Sequence, residues 1–501
     1  MQQKQFNPPL YNYEDDPVLR SLHGDFDDKR GKALKTIKRL TAFAMIAAIL
    51  LGGCATVGEP DRSDSGESKT IYLVDENPRD EEMLVAESPS IMAEPLIVGG
   101  GSDKLISHIS ADVVVYPGAG KTAVDMASRK PDEVKSVWIS YLELETLLKG
   151  KTHRQFLSNI GKVFDNVKEF GLNTVIVQVR PFADAIYPSD YFPWSYLAAG
   201  KEGVDPGYDP LGVMVKEAHS RGLRIEAWIN PYRVRNAGSK VALSTSNKAG
   251  EWIAANNGSA YRAQSGLIVF NPASKRAQDL IINGVREIVH NYSVDGIHID
   301  DYFYPSTGTD FDKNFDAASY KTYRNSGGNL SLENWRRSNV DTLLKKMYAA
   351  IKEENKNVLF GISPQSSVRN NYDSMYLDIE KVLSTPGYCD YVCPQIYFGY
   401  DNDVQPFETT LKQWNDMIKA EGVQLYVGLA AYKLGKVDSW AGSGSGEWQR
   451  NSDMMARQLK TSRAMEKYGG AVLYRYDSIF NPESQVAGHV GTERSNLRRV
   501  L

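Results

Sequence analysis

From Val134 to the end of the chain, short apolar runs alternate with longer segments whose apolar residues recur every three or four positions. A short apolar run bounded by turn residues predicts a buried strand, and the longer period predicts an amphipathic helix. The apolar runs predict strands at 134–142, 173–180, 223–230, 295–302, 358–365, 391–398, 424–432 and 470–477. The helical patterns between them cover 153–171, 209–222, 273–292, 331–355, 407–422 and 451–470.

This alternation predicts parallel strands joined by right-handed helical crossovers. Eight such units over about 350 residues favour an α/β fold, a single (β/α)8 barrel with enlarged loops after its strands. A doubly wound sheet is the alternative, but no GxGxxG turn follows the first strand. Several helical patterns run into a glycine that suits a left-handed C-terminal cap, namely Gly171, Gly222, Gly422 and Gly469.

The polar residues of this predicted barrel gather at one rim. Active sites of (β/α)8 barrels lie at the C-terminal ends of the strands, where the βα loops meet. Apolar residues such as Val175, Val177 and Ile225 alternate along the strands with inward residues that become polar and aromatic toward the strand ends. Buried polar groups cost free energy unless they are paired, so this concentration predicts a binding site. The predicted substrate-binding residues are Arg180, Trp228, Asn230, Tyr232, His298, Tyr302, Tyr304, Gln365, Gln395, Tyr397 and Tyr476.

These residue types suit a sugar, because rings stack on the apolar faces of pyranoses while amides, arginine and hydroxyls bond to sugar hydroxyls. Glycosidic hydrolysis needs a carboxylic acid to protonate the leaving oxygen and a carboxylate as nucleophile or base. We expect Asp300 to be the nucleophile or charge-stabilising carboxylate, Asp301 to be the acid or a substrate ligand, and Glu226 to be a third candidate. Adjacent residues of a strand diverge, so Asp300 and Asp301 face one cleft only if the strand ends between them.

Structural roles stay open for several of these residues. His298 fits a satisfied interior imidazole, and Glu226 fits a buried partner of Arg180 or His298. Cys389 and Cys393 fit core thiols. The sequence shows no metal-ligand spacing and no GxSxG elbow, so we expect neither a metal nor a cofactor, and no serine hydrolase chemistry.

The composition narrows the class of partner. The 501 residues carry a formal net charge of −4, with 42% hydrophobic and 24% charged residues, as in ordinary globular proteins. Without a basic excess, nucleic acid is not an expected partner. Three cysteines in all exclude a disulfide scaffold.

The N-terminal segment is typical of a bacterial export signal. Basic residues from Lys32 to Arg39 precede an apolar run at 40–51 and the sequence LGGC, which ends at Cys54. A basic region, about a dozen apolar residues and small residues describe a secretory signal. LGGC resembles the lipobox, which implies a lipidated Cys54, a membrane anchor and a location in the cell envelope, at the outer membrane given Ala55. An uncleaved anchor and a plain secreted protein are the alternatives.

The chain therefore divides into four parts. Residues 1–53 form the extension and signal peptide, 54–130 a flexible linker, 131–485 the barrel, and 486–501 a C-terminal tail. The linker is rich in polar residues, proline, glycine and serine, as in GEPDRSDSGESK. Its VVVYPGAGKT stretch lacks the first glycine of a phosphate-binding loop, so Lys121 is expected to be a loop lysine.

Together, several motifs resemble the glycosyl hydrolase-like 10 family, a bacterial group of (β/α)8 proteins that are frequently lipoproteins. They are VWISYLEL, NTVIVQVRPFADAIYPSDYFPWS, DPLGVMVKEAHSRGLRIEAWINPYRV, DGIHIDDYFYP, FGISPQ, YVCPQIYFGY and LYVGLAAYKLG, and they span roughly residues 133 to 480. The resemblance implies a glycoside hydrolase that acts on cell-envelope glycan. One branch of the family cleaves peptidoglycan strands that have lost their peptides.

Within this resemblance, DGIHIDDYFYP, EAWINPYR and VCPQIYF are expected to line the cleft. The first motif also resembles barrel glycosidases whose DGxxxD pattern ends in a catalytic aspartate, here Asp300. Tyr302 stands where chitinase-type barrels carry a catalytic glutamate, which argues against their substrate-assisted mechanism. Gln365 and Gln395 stand where many barrels supply a glutamate, so the identity of the acid stays open. A catalytically inactive glycan-binding barrel is the alternative function.

Overall fold

The (β/α)8 barrel is confirmed in the computed structural model, which describes residues 131–305 and 314–501. The predicted signal peptide, Cys54 and the linker lie outside the described residues. In the described part, eight parallel strands close in the chain order of the barrel, each hydrogen-bonded to the next and the last to the first. The barrel strands are β1 (Val134–Ile139), β2 (Thr174–Arg180), β3 (Arg224–Ile229), β7 (Gly296–Ile299), β8 (Leu359–Ile362), β9 (Tyr391–Val392), β10 (Gln424–Ala430) and β11 (Tyr468–Tyr474).

A small antiparallel sheet, which the sequence pattern does not predict, lies in the connection between β3 and β7. It consists of β4 (Arg233–Arg235), β5 (Ala260–Arg262) and β6 (Ile268–Phe270) in the order β4-β6-β5. The backbone N–H of Phe270 donates to the carbonyl of Tyr232 at 2.9 Å, which fastens this sheet to the C-terminal end of β3. The sheet therefore carries β4 to the barrel rim.

Helices follow the barrel strands and cover their outer faces. In the described residues they are α1 (Tyr141–Leu147), α2 (His153–Phe170), α3 (Tyr196–Ala199), α4 (Pro210–Ser220), α5 (Lys248–Ala254), α6 (Lys275–Asn291), α7 (Ala317–Asn325), α8 (Leu332–Glu354), α9 (Val368–Asp373), α10 (Ile379–Ser384), α11 (Phe407–Met417), α12 (Glu447–Arg450), α13 (Met454–Ser462), α14 (Tyr476–Phe480) and α15 (Ala487–Arg498). None of these described helices has the length and apolar character that a bilayer-spanning segment needs.

Glycine caps end two of the helices as predicted. Gly171 caps α2 with a φ of 101°, and Gly222 follows α4 with a φ of 68°. Gly422 also has a positive φ, but α11 ends five residues earlier, at Met417. The prediction for Gly469 is wrong, because this residue lies inside β11, where the chain is already extended.

Two apolar layers hold the barrel together. Val175, Val177 and Ile225 are fully buried against the helices, as their alternation predicts. Burying each large apolar side chain contributes about 1.5–3 kcal/mol. The barrel interior is a separate cluster of apolar and aromatic side chains that includes Cys393. Cys389 packs in the outer layer, and both cysteines are buried free thiols, as predicted. The interior residues are Val134, Trp138, Ile176, Trp228, Tyr391, Cys393, Tyr426 and Val472.

The segment 486–501 was predicted to be a tail, but it contains the packed helix α15. Val490 is 1% exposed and Leu497 is 0% exposed, so the helix contributes to the core. The guanidinium of Arg463 donates to the carbonyl of Val500 at 2.7 Å. The compact part of the described chain therefore continues to its last residues.

Candidate active site

Asp300 and Asp301 lie side by side at the C-terminal face of the barrel, and both line one cleft. Strand β7 ends at Ile299, one residue before the pair. The divergence that a continuous strand would impose on the two side chains does not occur, because the strand alternation no longer applies after Ile299. Asp300 is 7% exposed and Asp301 is 6% exposed. The loop therefore presents two nearly buried carboxylates to the same space.

Asp300 is held by an amide at the tip of β3. The Asn230 Nδ2 donates to both carboxylate oxygens of Asp300, at 2.6 Å and 2.7 Å. The Asn230 Oδ1 in turn accepts hydrogen bonds from Gln178 at 2.6 Å and from Arg233 at 3.1 Å. The Oε1 of Gln178 accepts from the backbone N–H of Tyr141 at 2.9 Å. These bonds fix which end of the Asn230 amide faces Asp300.

Asp301 is held by two glutamines from neighbouring strand ends. Gln365 donates to one oxygen of Asp301 at 3.0 Å, and Gln395 donates to the other at 3.2 Å. Gln395 also donates to the Ser363 carbonyl at 3.2 Å, and Asn370 donates to the Oε1 of Gln365. Both glutamine amides therefore present N–H groups to Asp301, an arrangement that stabilises its ionised form.

The two carboxyls share an electrostatic environment that retains a proton. Burial, together with the neighbouring Asp301, raises the pKa of Asp300 to about 7, while Arg233 and Asn230 act in the opposite direction. Burial also raises the pKa of Asp301, against the effect of the two glutamine amides. Two like charges in such a place do not both ionise readily. The pair therefore suits acid and base chemistry near neutral pH.

Aromatic and polar side chains form the rest of the cleft. The empty space among its lining residues is about 550 Å³, including open solvent. The rings of Tyr397 and Tyr474 stack with centroids 5.7 Å apart. The lining residues besides the two carboxylates are Trp138, Ser140, Tyr141, Leu142, Gln178, Trp228, Arg233, Tyr302, Ser363, Gln395, Tyr397 and Tyr474.

Arg233 brings the positive charge of the cleft, and strand β4 positions it. Its Nε donates to the carbonyl of Pro181 at 3.0 Å, and its guanidinium lies 4.4 Å from the ring centroid of Tyr302. The charge lowers the pKa of both aspartates. Arg233 therefore offsets part of the repulsion between the carboxylates while holding Asn230 and Tyr302.

Glu226 and His298 lie below the cleft, inside the barrel. Trp138 Nε1 donates to His298 Nε2 at 3.1 Å, so the His298 Nδ1 carries the proton and donates to the Tyr391 hydroxyl at 2.8 Å. Tyr391 then donates to Glu226. Burial lowers the pKa of His298 to about 3, so the imidazole is neutral. Neither residue lines the cleft, and Glu226 is linked to His298 through Tyr391.

Four other predicted ligands of the substrate lie away from the cleft. Arg180 is fully buried, 4.2 Å from the ring centroid of Phe192, because the pairing of β2 with β3 is irregular between Gln178 and Arg180. Tyr304 donates to Asp316 at 2.6 Å. Tyr476 accepts from Asn166 at 2.8 Å. Tyr232 is buried at the base of the antiparallel sheet.

The remaining predicted residues divide into two groups. Trp228, Tyr302, Gln395 and Tyr397 line the cleft with the two aspartates. Asn230 and Gln365 do not line the cleft, but they donate hydrogen bonds to Asp300 and Asp301 respectively. Arg233 ends the EAWINPYR motif, which the resemblance expects to line the cleft, but it is not among the predicted substrate-binding residues. The lining residues Trp138, Ser140, Gln178 and Tyr474 are also not among the predicted substrate-binding residues.

Within residues 131–305 and 314–501, no group of three or more histidine, cysteine, aspartate or glutamate side chains is arranged to hold a metal ion.

Comparison with known proteins places this arrangement in context. The sequence pattern of the glycosyl hydrolase-like 10 family matches residues 133–441. Glycosyl hydrolase YngK of Bacillus subtilis is 36% identical over 333 residues, which are 62% of this chain and 63% of YngK, so the match spans less than two thirds of that relative. Glycosyl hydrolase DigH of Escherichia coli K12 is 33% identical over 353 residues, or 64% of this chain and 76% of DigH.

Among solved structures, the glycoside hydrolase domain of PgaB (BpsB) from Bordetella bronchiseptica is similar with a TM-score of 0.47. It is 13% identical, and the alignment covers 74% of this chain and 98% of that domain.

Proposed function

The chain belongs to the glycosyl hydrolase-like 10 family, and we propose that it is a glycoside hydrolase that uses Asp300 and Asp301 to cleave cell-envelope glycan. Peptidoglycan strands without peptides are the proposed substrate. The observation that carries the proposal is the pair of adjacent, nearly buried carboxylates, each held by its own amide donors at an open aromatic cleft. The substrate follows from the family branch that the motifs resemble.

We assign the role of general acid to Asp300. A carboxyl whose pKa is raised to about 7 keeps its proton near neutral pH and delivers it to a leaving oxygen efficiently. Asp301 supplies the ionised carboxylate, since an amide N–H meets each of its oxygens. This reverses the roles expected from the sequence, where strand alternation favoured Asp300 as the nucleophile.

The adjacency of the two residues supports retention of the anomeric configuration. Consecutive Cα atoms lie about 3.8 Å apart, and both side chains line one cleft. Inverting enzymes separate their carboxyls by about 6.5–9.5 Å to admit a water, while retaining enzymes keep them about 5–5.5 Å apart. Two side chains from one short loop do not suit the wide, inverting separation, so retention is the expected outcome.

The test uses the full chain in mild detergent with peptide-free glycan strands and with intact peptidoglycan. Mass spectrometry of released fragments and NMR of the new reducing ends report cleavage and stereochemistry. We expect release from peptide-free strands with retention, and losses of at least about 1,000-fold for Asp300→Asn and Asp301→Asn. Asp416→Asn, at an exposed carboxylate of α11, is the matched control. Unchanged release by both active-site variants would refute the site.

Lipid anchoring at Cys54 is a separate part of the proposal, and the LGGC motif supports it. We expect Cys54→Ser to abolish incorporation of a labelled fatty acid and to release the protein from the membrane fraction. Cys389→Ser is the control, since Cys389 is buried in the barrel. Persistent labelling of the Cys54→Ser protein would exclude this anchor.

A further inference from the structure

We propose that the nucleophile of the reaction is the 2-acetamido oxygen of the substrate itself, so that the cleft is specific for 2-acetamido sugars. This inference rests on the proposed function, because it concerns the same cleft and the same two aspartates. It reverses the expectation drawn from Tyr302, because Asp300 takes the role of the acid that a glutamate supplies in chitinase-type barrels. Asp300 would protonate the leaving oxygen, while Asp301 would orient the acetamido group.

The placement of the two carboxylates supports an acetamido nucleophile. In a double displacement by protein groups, the acid reaches the leaving oxygen while the nucleophile attacks the anomeric carbon from the opposite face. Asp300 and Asp301 come from one loop, so they approach the sugar from the same side. In the described residues, no other carboxylate lines the cleft. The described residues therefore offer no protein nucleophile on the far face, and a neighbouring acetamido oxygen can attack from there.

The hydrogen bonds of Asp301 support its role in orienting the acetamido group. Gln365 and Gln395 each occupy one oxygen of Asp301 and fix the plane of the carboxylate. A carboxylate offers about four acceptor positions, so further positions remain for an N–H of the substrate. An ionised carboxylate that accepts the acetamido N–H makes the carbonyl oxygen more nucleophilic and stabilises the positive charge that develops on the ring.

The aromatic rings of the cleft also support a 2-acetamido substrate. The rings of Trp138, Trp228, Tyr397 and Tyr474 belong to the same lining as the two aspartates. Trp138 contacts Tyr474 edge-on at 5.8 Å, and Tyr474 stacks on Tyr397, so these rings form a continuous apolar surface. An acetamido group brings a methyl group as well as a polar amide. The aromatic surface suits the methyl, and Asp301 suits the N–H.

The reaction balances with water as the second substrate. In the first step, the carbonyl oxygen bonds to the anomeric carbon, the glycosidic C–O bond breaks, and the Asp300 proton passes to the departing oxygen. The product is a cyclic oxazolinium ion whose N–H faces Asp301. In the second step, water adds to the anomeric carbon and gives its proton to Asp300, and the ring opens to restore the acetamide. Two inversions give net retention.

The experiment compares one glycan in three forms with the full chain in mild detergent. Peptide-free strands are used as isolated, after chemical N-deacetylation, and after re-acetylation with acetic anhydride. We expect cleavage to fall at least about 100-fold on deacetylation and to recover on re-acetylation, since neighbouring groups contribute large effective concentrations. Re-acylation with trifluoroacetyl groups keeps the amide but weakens its oxygen, so kcat is expected to fall more than KM changes.

The outcomes separate this inference from the proposed function. Cleavage of deacetylated strands within about threefold of the native rate would overturn the acetamido nucleophile while leaving the glycosidase intact. A covalent glycosyl adduct on Asp300 or Asp301, trapped with a 2-fluoro glycosyl fluoride and seen by mass spectrometry, would also overturn it. Failure to cleave any form would refute the proposed function together with this inference.

Discussion

The amide nitrogen of Asn230 lies within 2.7 Å of both carboxylate oxygens of Asp300, across the gap between the tips of β3 and β7. The amide cannot turn over, because its oxygen already accepts hydrogen bonds from Gln178 and Arg233. A flipped Asn230 would set an oxygen against a carboxylate and leave two donors unpaired. Asn230 is therefore a positioning residue whose loss acts through Asp300.

Replacing Asn230 with alanine is expected to move the pH profile. The amide lowers the pKa of Asp300, so its removal raises that pKa further. The basic limb of the rate profile reports deprotonation of the acid, and it should therefore shift to higher pH. We expect a loss in kcat of about 10–100-fold from poorer orientation of the carboxyl.

The control for Asn230→Ala is Asn334→Ala, at an exposed position of α8. A pH profile that keeps its basic limb while kcat falls would show that Asn230 does not act on the acid. Rates measured between pH 5 and pH 9 on peptide-free strands decide between the two outcomes.

Glutamate at position 395 is expected to harm activity, although many barrel glycosidases carry a glutamate there. The Nε2 of Gln395 donates to the Asp301 carboxylate. A glutamate carboxylate at position 395 would repel Asp301 instead. We expect Gln395→Glu to raise the pKa of Asp301 and to lower kcat at pH 7 by at least about tenfold. Gln395→Met, which removes the donor without adding charge, should lose less. A rate for Gln395→Glu at or above the parent rate would contradict this role.

The barrel could be predicted from the sequence because its strands are buried on both faces and stand out as continuous apolar runs. The sheet β4-β6-β5 could not, since each of its strands has only three residues, too few to show a period. Strand β4 of that sheet positions Arg233. The short strands therefore explain why neither the sheet nor the place of Arg233 in the cleft could be predicted.

The candidate site was predicted in outline, but strand alternation assigned some side chains to the wrong surroundings. Arg180 was expected to face inward like Gln178, yet the irregular pairing after Gln178 sends it to the outside of the barrel. Asp301 would diverge from Asp300 in a continuous strand, but the regular strand stops before both. In each case hydrogen bonding between strands decided the direction, and a single sequence contains no record of it.

Asp300 should lower the stability of the fold at high pH. Its folded pKa of about 7 lies above the ordinary value of 3.8, so the native state favours the protonated form. The stability it contributes is present below about pH 4 and is lost as the pH rises through 7. Asp300→Asn, which cannot ionise, should therefore gain on the order of 2–4 kcal/mol relative to the parent at pH 8 and much less at pH 4.5.

Urea unfolding of the two proteins at pH 4.5 and pH 8 measures this difference. The matched control is Asp416→Asn, an exposed carboxylate whose pKa is lowered by the hydrogen bond from Lys412, so it should show no gain at pH 8. An equal gain for Asp300→Asn at both pH values would mean that packing, not ionisation, is responsible.

Two glycine-to-alanine changes in helices should act in opposite directions, and the contrast tests the burial of Arg180. At Gly284 of α6, a Cβ would clash with Phe192 Cε2, and Phe192 already packs between the helix and the Arg180 guanidinium. At Gly161 of α2, the nearest atom is the end of the flexible Arg221 side chain, at 3.1 Å. Alanine favours a helix over glycine by about 1 kcal/mol. We expect Gly161→Ala to gain up to that amount, and Gly284→Ala to lose about 1–3 kcal/mol through overpacking. Thermal unfolding of both variants measures the difference. Stabilisation by Gly284→Ala would show that Phe192 and Arg180 yield easily, and that the buried guanidinium is not held by this stack.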